Sequence, residues 1–249
     1  MNNSTFKNFS YHNYAQLLNQ ISGYLPIMSY DEINSSTSRF LIIRHDVEFS
    51  INRAHAMALI EEKLGISSNY FFQIRSNSYN LLSKQNIDMI LSIKKMGHKV
   101  GLHVHLGSCN ENQDIKDYII NDINILSNIL GISINSFSFH RPIRKILEKN
   151  LKIDGLLNTY QDLFFELTDD YENAKVRYIS DSNHQWKYGD PFNLKFENIQ
   201  KVQLLIHPDN WTKSGENNLK NFMYLIDEKN QEIRDTFREE CITYPPELN

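Results

Sequence analysis

Along the 249 residues, apolar runs of strand length alternate with amphipathic helical stretches at least four times, over connections too long for hairpins. Strands joined that way run in the same direction. The alternation therefore predicts an α/β chain with a parallel sheet, open or closed, and helices on the outside. The first of these runs carries the most chemistry. From Phe40 it is apolar enough for a fully buried strand, and it ends with Arg44, His45, Asp46 and Glu48 crowded together. Parallel sheets and barrels present reactive side chains at the carboxyl ends of their strands. Strand alternation places Arg44, Asp46 and Glu48 on one face.

The remaining elements follow in order. Residues 11 to 35 contain one or two short helices, with Tyr14, Leu17, Leu18 and Ile21 at helical spacing and Pro26 as a break. Arg53 to Leu64 reads as a helix ended by Gly65, and Ser67 to Ile74 as a second buried strand. Asn86 is placed to cap a helix over Ile87 to Met96, and His98 to His105 is a third strand. Asp114 to Leu130 has the clearest apolar stripe. Ser136 to His140 reads as a fourth strand, and Arg144 to Leu151 as a short helix. Lys152 to Asn173 shows no firm pattern. Val176 to Ile179 and Val202 to Ile206 are two more short strands, and Asn217 to Glu239 is a long closing helix. No internal repeat or linker divides the chain. Residues 1 to 39 are expected as a helical extension packed on one barrel domain, 40 to 249.

A net charge of −4 and a pI near 6.1 give no electrostatic footprint for nucleic acid. The first ten residues are polar, and no uncharged run of 18 apolar residues occurs. The expectation is a soluble, cytoplasmic protein with no membrane span. Cys109 and Cys241 lie far apart and form no CxxC pair, which fits a reducing compartment.

Four of the nine histidines stand at or just past the end of an expected strand: His103, His105, His140 and His207. With Asp46 they bring groups from four strands to one end of the sheet. A divalent ion such as zinc takes three imidazole or carboxylate ligands and keeps a position for water. Asp46 and two of these histidines make such a set. Any one histidine beside an apolar strand is more often a hydrogen-bonded core residue, but four at equivalent strand ends favour a site.

These residues, in this order, resemble the polysaccharide deacetylases of carbohydrate esterase family 4, the NodB-homology group, and its divergent members from surface-polysaccharide gene sets. The resemblance runs from about Phe40 to Trp211. Arg44-His45-Asp46-Val47-Glu48 is similar to the first motif, Gly97 to His103 to the second, Phe139-His140-Arg141-Pro142 to the third and Leu204 to His207 to the last. It implies a distorted (β/α) barrel of the NodB-homology type, with one divalent metal ion, zinc for preference, at its mouth. The implied reaction is hydrolysis of the acetamido group of a sugar or of a nucleotide- or lipid-linked sugar precursor. His103 would be a metal ligand, Arg141 would orient the catalytic acid and His207 would be that acid. Asp181, Trp186 and Trp211 would line the substrate groove.

The chain departs from the family pattern in two places. Val47 stands where a second aspartate is usual, so Asp46 serves as ligand or as base and Glu48 is available for the vacant role. Gly107 stands where the second motif has its second histidine, which leaves His140, or else His105, to complete the metal set. Two other functions are compatible with these residues: hydrolysis of another small amide on the same barrel, and sugar binding without catalysis.

Overall fold

The computed structural model describes residues 8–108 and 114–245. Cys109 lies outside them, and Cys241 is free and exposed. The elements run α1 (Tyr11–Ser22), β1 (Phe40–Val47), α2 (Ile51–Lys63), β2 (Asn69–Phe72), α3 (Lys84–Lys95), β3 (Lys99–Val104), α4 (Ile115–Leu130), β4 (Ser136–Phe139), α5 (Arg144–Leu147), β5 (Leu157–Asn158), β6 (Arg177–Ser180), β7 (Lys201–Ile206) and α6 (Asn218–Glu240). All seven strands pair in parallel in one sheet, in the order β5-β4-β3-β2-β1-β7-β6.

The curled sheet is a distorted (β/α) barrel, as the family resemblance implies, and its parallel pairing is what the alternation predicts. Side chains rather than a strand ladder close it between β5 and β6. Gln203 of β7 reaches across the interior and donates to the Thr159 and Phe164 carbonyls, 3.2 and 2.8 Å away. Phe165, just past β5, packs edge-on against Tyr178 of β6. β5 has only two residues, too few to leave a periodic signature, and it lies in the segment without a firm pattern.

Three apolar cores hold the sheet. Phe40, Ile42, Phe71, Tyr30 and Phe164 fill the barrel interior away from the strand ends. Leu41, Ile43, Val202, Leu204 and Ile206 point outward against Leu17, Leu18 and Ile21 of α1. A third cluster packs α3 and α4 on β2, β3 and β4. One glycine is set by the interior: a Cβ on Gly101 would come within 2.4 Å of the Phe71 ring, so β3 needs glycine where that ring crosses the barrel.

Helix starts follow side-chain capping. Ser50 and Ser83 accept from Arg53 N and Asn86 N, and Asp114 accepts from Lys116 N. Asn86 is thus the recipient of a cap rather than the cap itself, because α3 begins one turn earlier than its apolar pattern. α6 buries only Asn221 and Leu225. The stripe that predicts this helix, Leu219, Phe222, Ile226, Ile233 and Phe237, stays exposed. Among the described residues, no helix is long and apolar enough to cross a membrane.

Candidate metal centre and its cavity

Period-two alternation aims one set of side chains into the barrel mouth. On β1 that set is Arg44 and Asp46, with Glu48 just beyond. β3 supplies His103, β4 supplies Ser138 and then His140, and β7 supplies Leu205 and then His207. His45 faces the opposite way, into the helical layer.

Glu48, His103 and His140 converge. Glu48 Oε1 lies 2.7 Å from His140 Nδ1 and 3.3 Å from His103 Nε2, and all three ligand atoms lie within 4.8 Å of one another. Ligands of a tetrahedral zinc ion, each about 2.0–2.1 Å from the metal, have comparable mutual spacings. The atoms behind them also suit a metal site. Ser138 Oγ lies 2.7 Å from His103 Nδ1 and donates to Asp46 Oδ1 at 3.1 Å, which orients the imidazole with Nε2 toward Glu48. Burial disfavours an ionised Glu48, but hydrogen bonds from His103 and His140 outweigh it and hold the carboxyl far below its usual range.

Asp46 is not brought into this set. Arg44 grips it with a two-pronged fork, Nε to Oδ1 at 2.9 Å and Nη2 to Oδ2 at 2.6 Å, with both residues buried. Burial opposes its charge, yet Arg44 and His103 prevail and lower its pKa. Arg44 is itself held by Gln203 at 3.2 Å and by Tyr160 at 3.0 Å, its guanidinium lying over the Tyr160 ring. His105, the alternative ligand, stacks on His140 with ring centroids 4.9 Å apart and stays out of the cluster.

His207 belongs to a second unit. Its Nδ1 lies 2.6 Å from Asp181 Oδ1, and its backbone N–H donates to the same carboxylate. Trp211 Nε1 donates to Asp181 Oδ2 at 2.8 Å. Burial lowers the pKa of His207, but Asp181 and Glu48 override it and raise it to about 10. The residue that contacts His207 is thus Asp181, where the resemblance implies Arg141. Arg141 is exposed on the cavity rim, and among the described residues no hydrogen bond joins it to His207. Asp181 and Trp211 are fully buried behind His207, and Trp186 packs against Phe9 and Trp211. None of the three lines the cavity.

That cavity holds about 520 Å³ and is lined by Asp46, Glu48, Arg141, His207 and Asp209, with aromatic walls that include Tyr160, Tyr178 and Tyr188. Its size suits a small ligand. Four of the five non-glycine residues with positive φ among the described residues line it: Arg141 (48°), Asn183 (59°), His184 (58°) and Tyr188 (63°). Backbone strain gathered at one cavity marks a functional site. A larger depression of about 840 Å³ lies between α2, α3 and the end of α6. It is wide and shallow, and no strand end reaches it.

Sequence reasoning places Asp46, Glu48, His103, His140 and His207 at this end of the sheet. It misses Ser138, Tyr160 and Asp209. Ser138 is accessible by parity, since it shares a strand face with His140. Burial pushes the Asp209 carboxyl up to about 7 against the lowering by His207, and no motif announces this.

No protein-family model matches the chain, and no curated protein matches it. Solved structures do resemble it. They include a CE4 esterase from Streptococcus mutans (13% identity, 90% of this chain and 92% of that one, TM-score 0.44). The chitin deacetylase of the fungal pathogen Colletotrichum lindemuthianum is another (16%, 78% and 84%, 0.40). A third is a CE4 family pseudoenzyme from Bacillus anthracis (13%, 83% and 68%, 0.42). A function for this chain has to be read from its own strand ends.

Proposed function

We propose that this chain is a metal-dependent hydrolase that removes the N-acetyl group from an acetamido sugar or sugar precursor of a surface polysaccharide. The observation that carries the reading is that one cavity is lined both by Glu48, which joins His103 and His140 in a three-residue cluster, and by His207, held protonated by Asp181. Glu48, His103 and His140 hold the metal, zinc for preference. When bound there, a divalent ion supplies a Lewis acid and a water of lowered pKa.

The protein's own groups do the rest. Asp46 lines the cavity and is kept ionised by Arg44, so it accepts the proton of the attacking water. His207 donates its proton to the departing sugar nitrogen as the C–N bond breaks, and Asp181 stabilises the cation beforehand. The water oxygen ends in acetate, and the sugar leaves as an amine. Tyr160, Tyr178 and Tyr188 give the ring apolar faces to lie against.

The test is acetate release from N-acetylated sugars by the zinc- or cobalt-loaded protein. His207→Ala should lower turnover by about 10²–10⁴-fold while the metal content found by elemental analysis stays the same. His103→Ala should lose the metal. An active His207→Ala protein overturns the assignment. The fork of Arg44 on Asp46 favours a second reading, a sugar-binding barrel without turnover, because it makes that carboxylate a weak base. Sugar binding with no acetate release under metal loading selects that reading.

A further inference from the structure

The mouth of the barrel holds four carboxyl groups, three buried and Glu48 half-buried, and three of the four are engaged. Arg44 and Ser138 occupy Asp46, His103 and His140 occupy Glu48, and His207 with Trp211 occupies Asp181. Asp209 is different. Only 8% of it is exposed, it lines the cavity, and its Oδ1 is buried with no hydrogen-bond partner. An acceptor left in this state is unfavourable, and a ligand donor relieves it.

The turn that carries Asp209 is anchored. It forms a short 3-10 segment, Pro208–Asn210, immediately after His207. Arg53 Nη1 donates to the Asp209 carbonyl at 2.6 Å, and Asn221 Nδ2 donates to the same oxygen at 2.9 Å. Arg53 is in turn gripped by Glu228 of α6 at 2.9 Å. With its backbone pinned by α2 and α6, the Asp209 carboxyl stays beside His207 rather than swinging into solvent.

We propose that Asp209 accepts the N–H of the scissile amide and holds that nitrogen as His207 protonates it and it departs as the amine, selecting N-acetyl over O-acetyl substrates. The inference rests on the deacetylase reading for its substrate and adds the residue that makes the distinction. His207 delivers its proton to the leaving atom, so that atom lies on the His207 side of the cavity, where Asp209 projects. An amide nitrogen carries a proton to donate, and an ester oxygen carries none. A site built around a hydrogen bond rejects the analogue that lacks it far more strongly than an apolar pocket does.

The experiment uses the metal-loaded protein with a matched pair of acetyl probes, 4-nitroacetanilide and 4-nitrophenyl acetate. Asp209→Ala should lower the amide-to-ester ratio of kcat/KM by about 100-fold. Asp209→Asn, which keeps a carbonyl acceptor, should restore the ratio to within about tenfold of the parent. A purely structural role would move both substrates together, and equal losses overturn the inference. A second measurement separates this failure from failure of the deacetylase reading. By calorimetry, the parent should bind glucosamine more tightly than glucose, and Asp209→Ala should lose that preference. A preference that depends on Asp209, found without acetate release from either probe, removes the deacetylase reading and leaves the recognition site standing. Equal or absent binding of the two sugars by the parent overturns the inference.

Discussion

Two glutamates in this molecule each lie between two histidines, and they differ in what surrounds them. Glu61 of α2 accepts from Tyr14 at 2.5 Å, Tyr70 at 2.5 Å, Ser68 at 2.7 Å and His45 Nε2 at 2.8 Å. His98 stands 3.6 Å away as a neutral neighbour: its Nε2–H donates to the Ala58 carbonyl, and its Nδ1 accepts from the Ser68 N–H. Every group in that set is sealed between the sheet and its helices. Glu48, which meets His103 and His140, stands instead on the wall of a cavity, with the two histidines behind it. Hydroxyl donors consume the oxygens of Glu61 and make it a structural pin for α1, α2 and β2. Glu48 meets ring nitrogens that turn into ligands when the proton between them is replaced by a metal ion. A Glu–His pair is therefore no sign of a metal site until its other partners and its access are known.

The sharpest way to break this comparison is to remove each glutamate. Glu61→Ala leaves the Ser68 and Tyr70 hydroxyls without their acceptor in the core, with Tyr14 and His45 left only each other at 3.2 Å, and should cost about 3–5 kcal/mol, read from denaturant unfolding. Its zinc or cobalt content should stay at the parent level. Glu48→Ala should do the reverse, losing metal in elemental analysis with a smaller change in unfolding. Metal loss from Glu61→Ala would erase the distinction.

Glu61 and His207 should also report at opposite ends of the pH scale. Burial opposes the charge on Glu61, but His45 outweighs it and lowers the pKa to about 2 from the usual 4.5. The stability it contributes is present above pH 4.5 and lost as pH falls through about 2, on the order of 2–3 kcal/mol. His207 is raised to about 10, so its pairing with Asp181 stabilises fully below pH 6.5 and is lost as pH rises through about 10. Unfolding midpoints across pH should show Glu61→Gln flattening the acid limb alone and Asp181→Asn the alkaline limb alone. Crossed effects would mean that the two networks are coupled.

The smallest effect sharpens the same contrast. Trp211→Phe removes one donor from Asp181 and should cost about 1.5 kcal/mol in stability. It should shift the alkaline limb less than Asp181→Asn does and leave the acid limb unmoved. An acid-limb shift would show that Tyr14, packed 5.0 Å from the Trp211 ring and bonded to Glu61, transmits between the two regions.

The parallel sheet and the residues at its strand ends are legible in the sequence, because strand parity is local, whereas its closure into a barrel is not set by parity. Asp46, Glu48, His103 and His140 face inward for the same reason that Leu41 and Ile43 face outward. Parity also groups Arg44 with Asp46 but does not show that the two lock together, since that depends on Tyr160 and Gln203 arriving from 116 and 159 residues away. Tertiary structure decided which carboxylate joins the histidines, set Asp181 rather than Arg141 against His207, and buried Trp211 as a donor to Asp181. Each of those outcomes is set by the register between distant strands and by what remains unpaired once water is excluded, and neither quantity is written within a single run of residues.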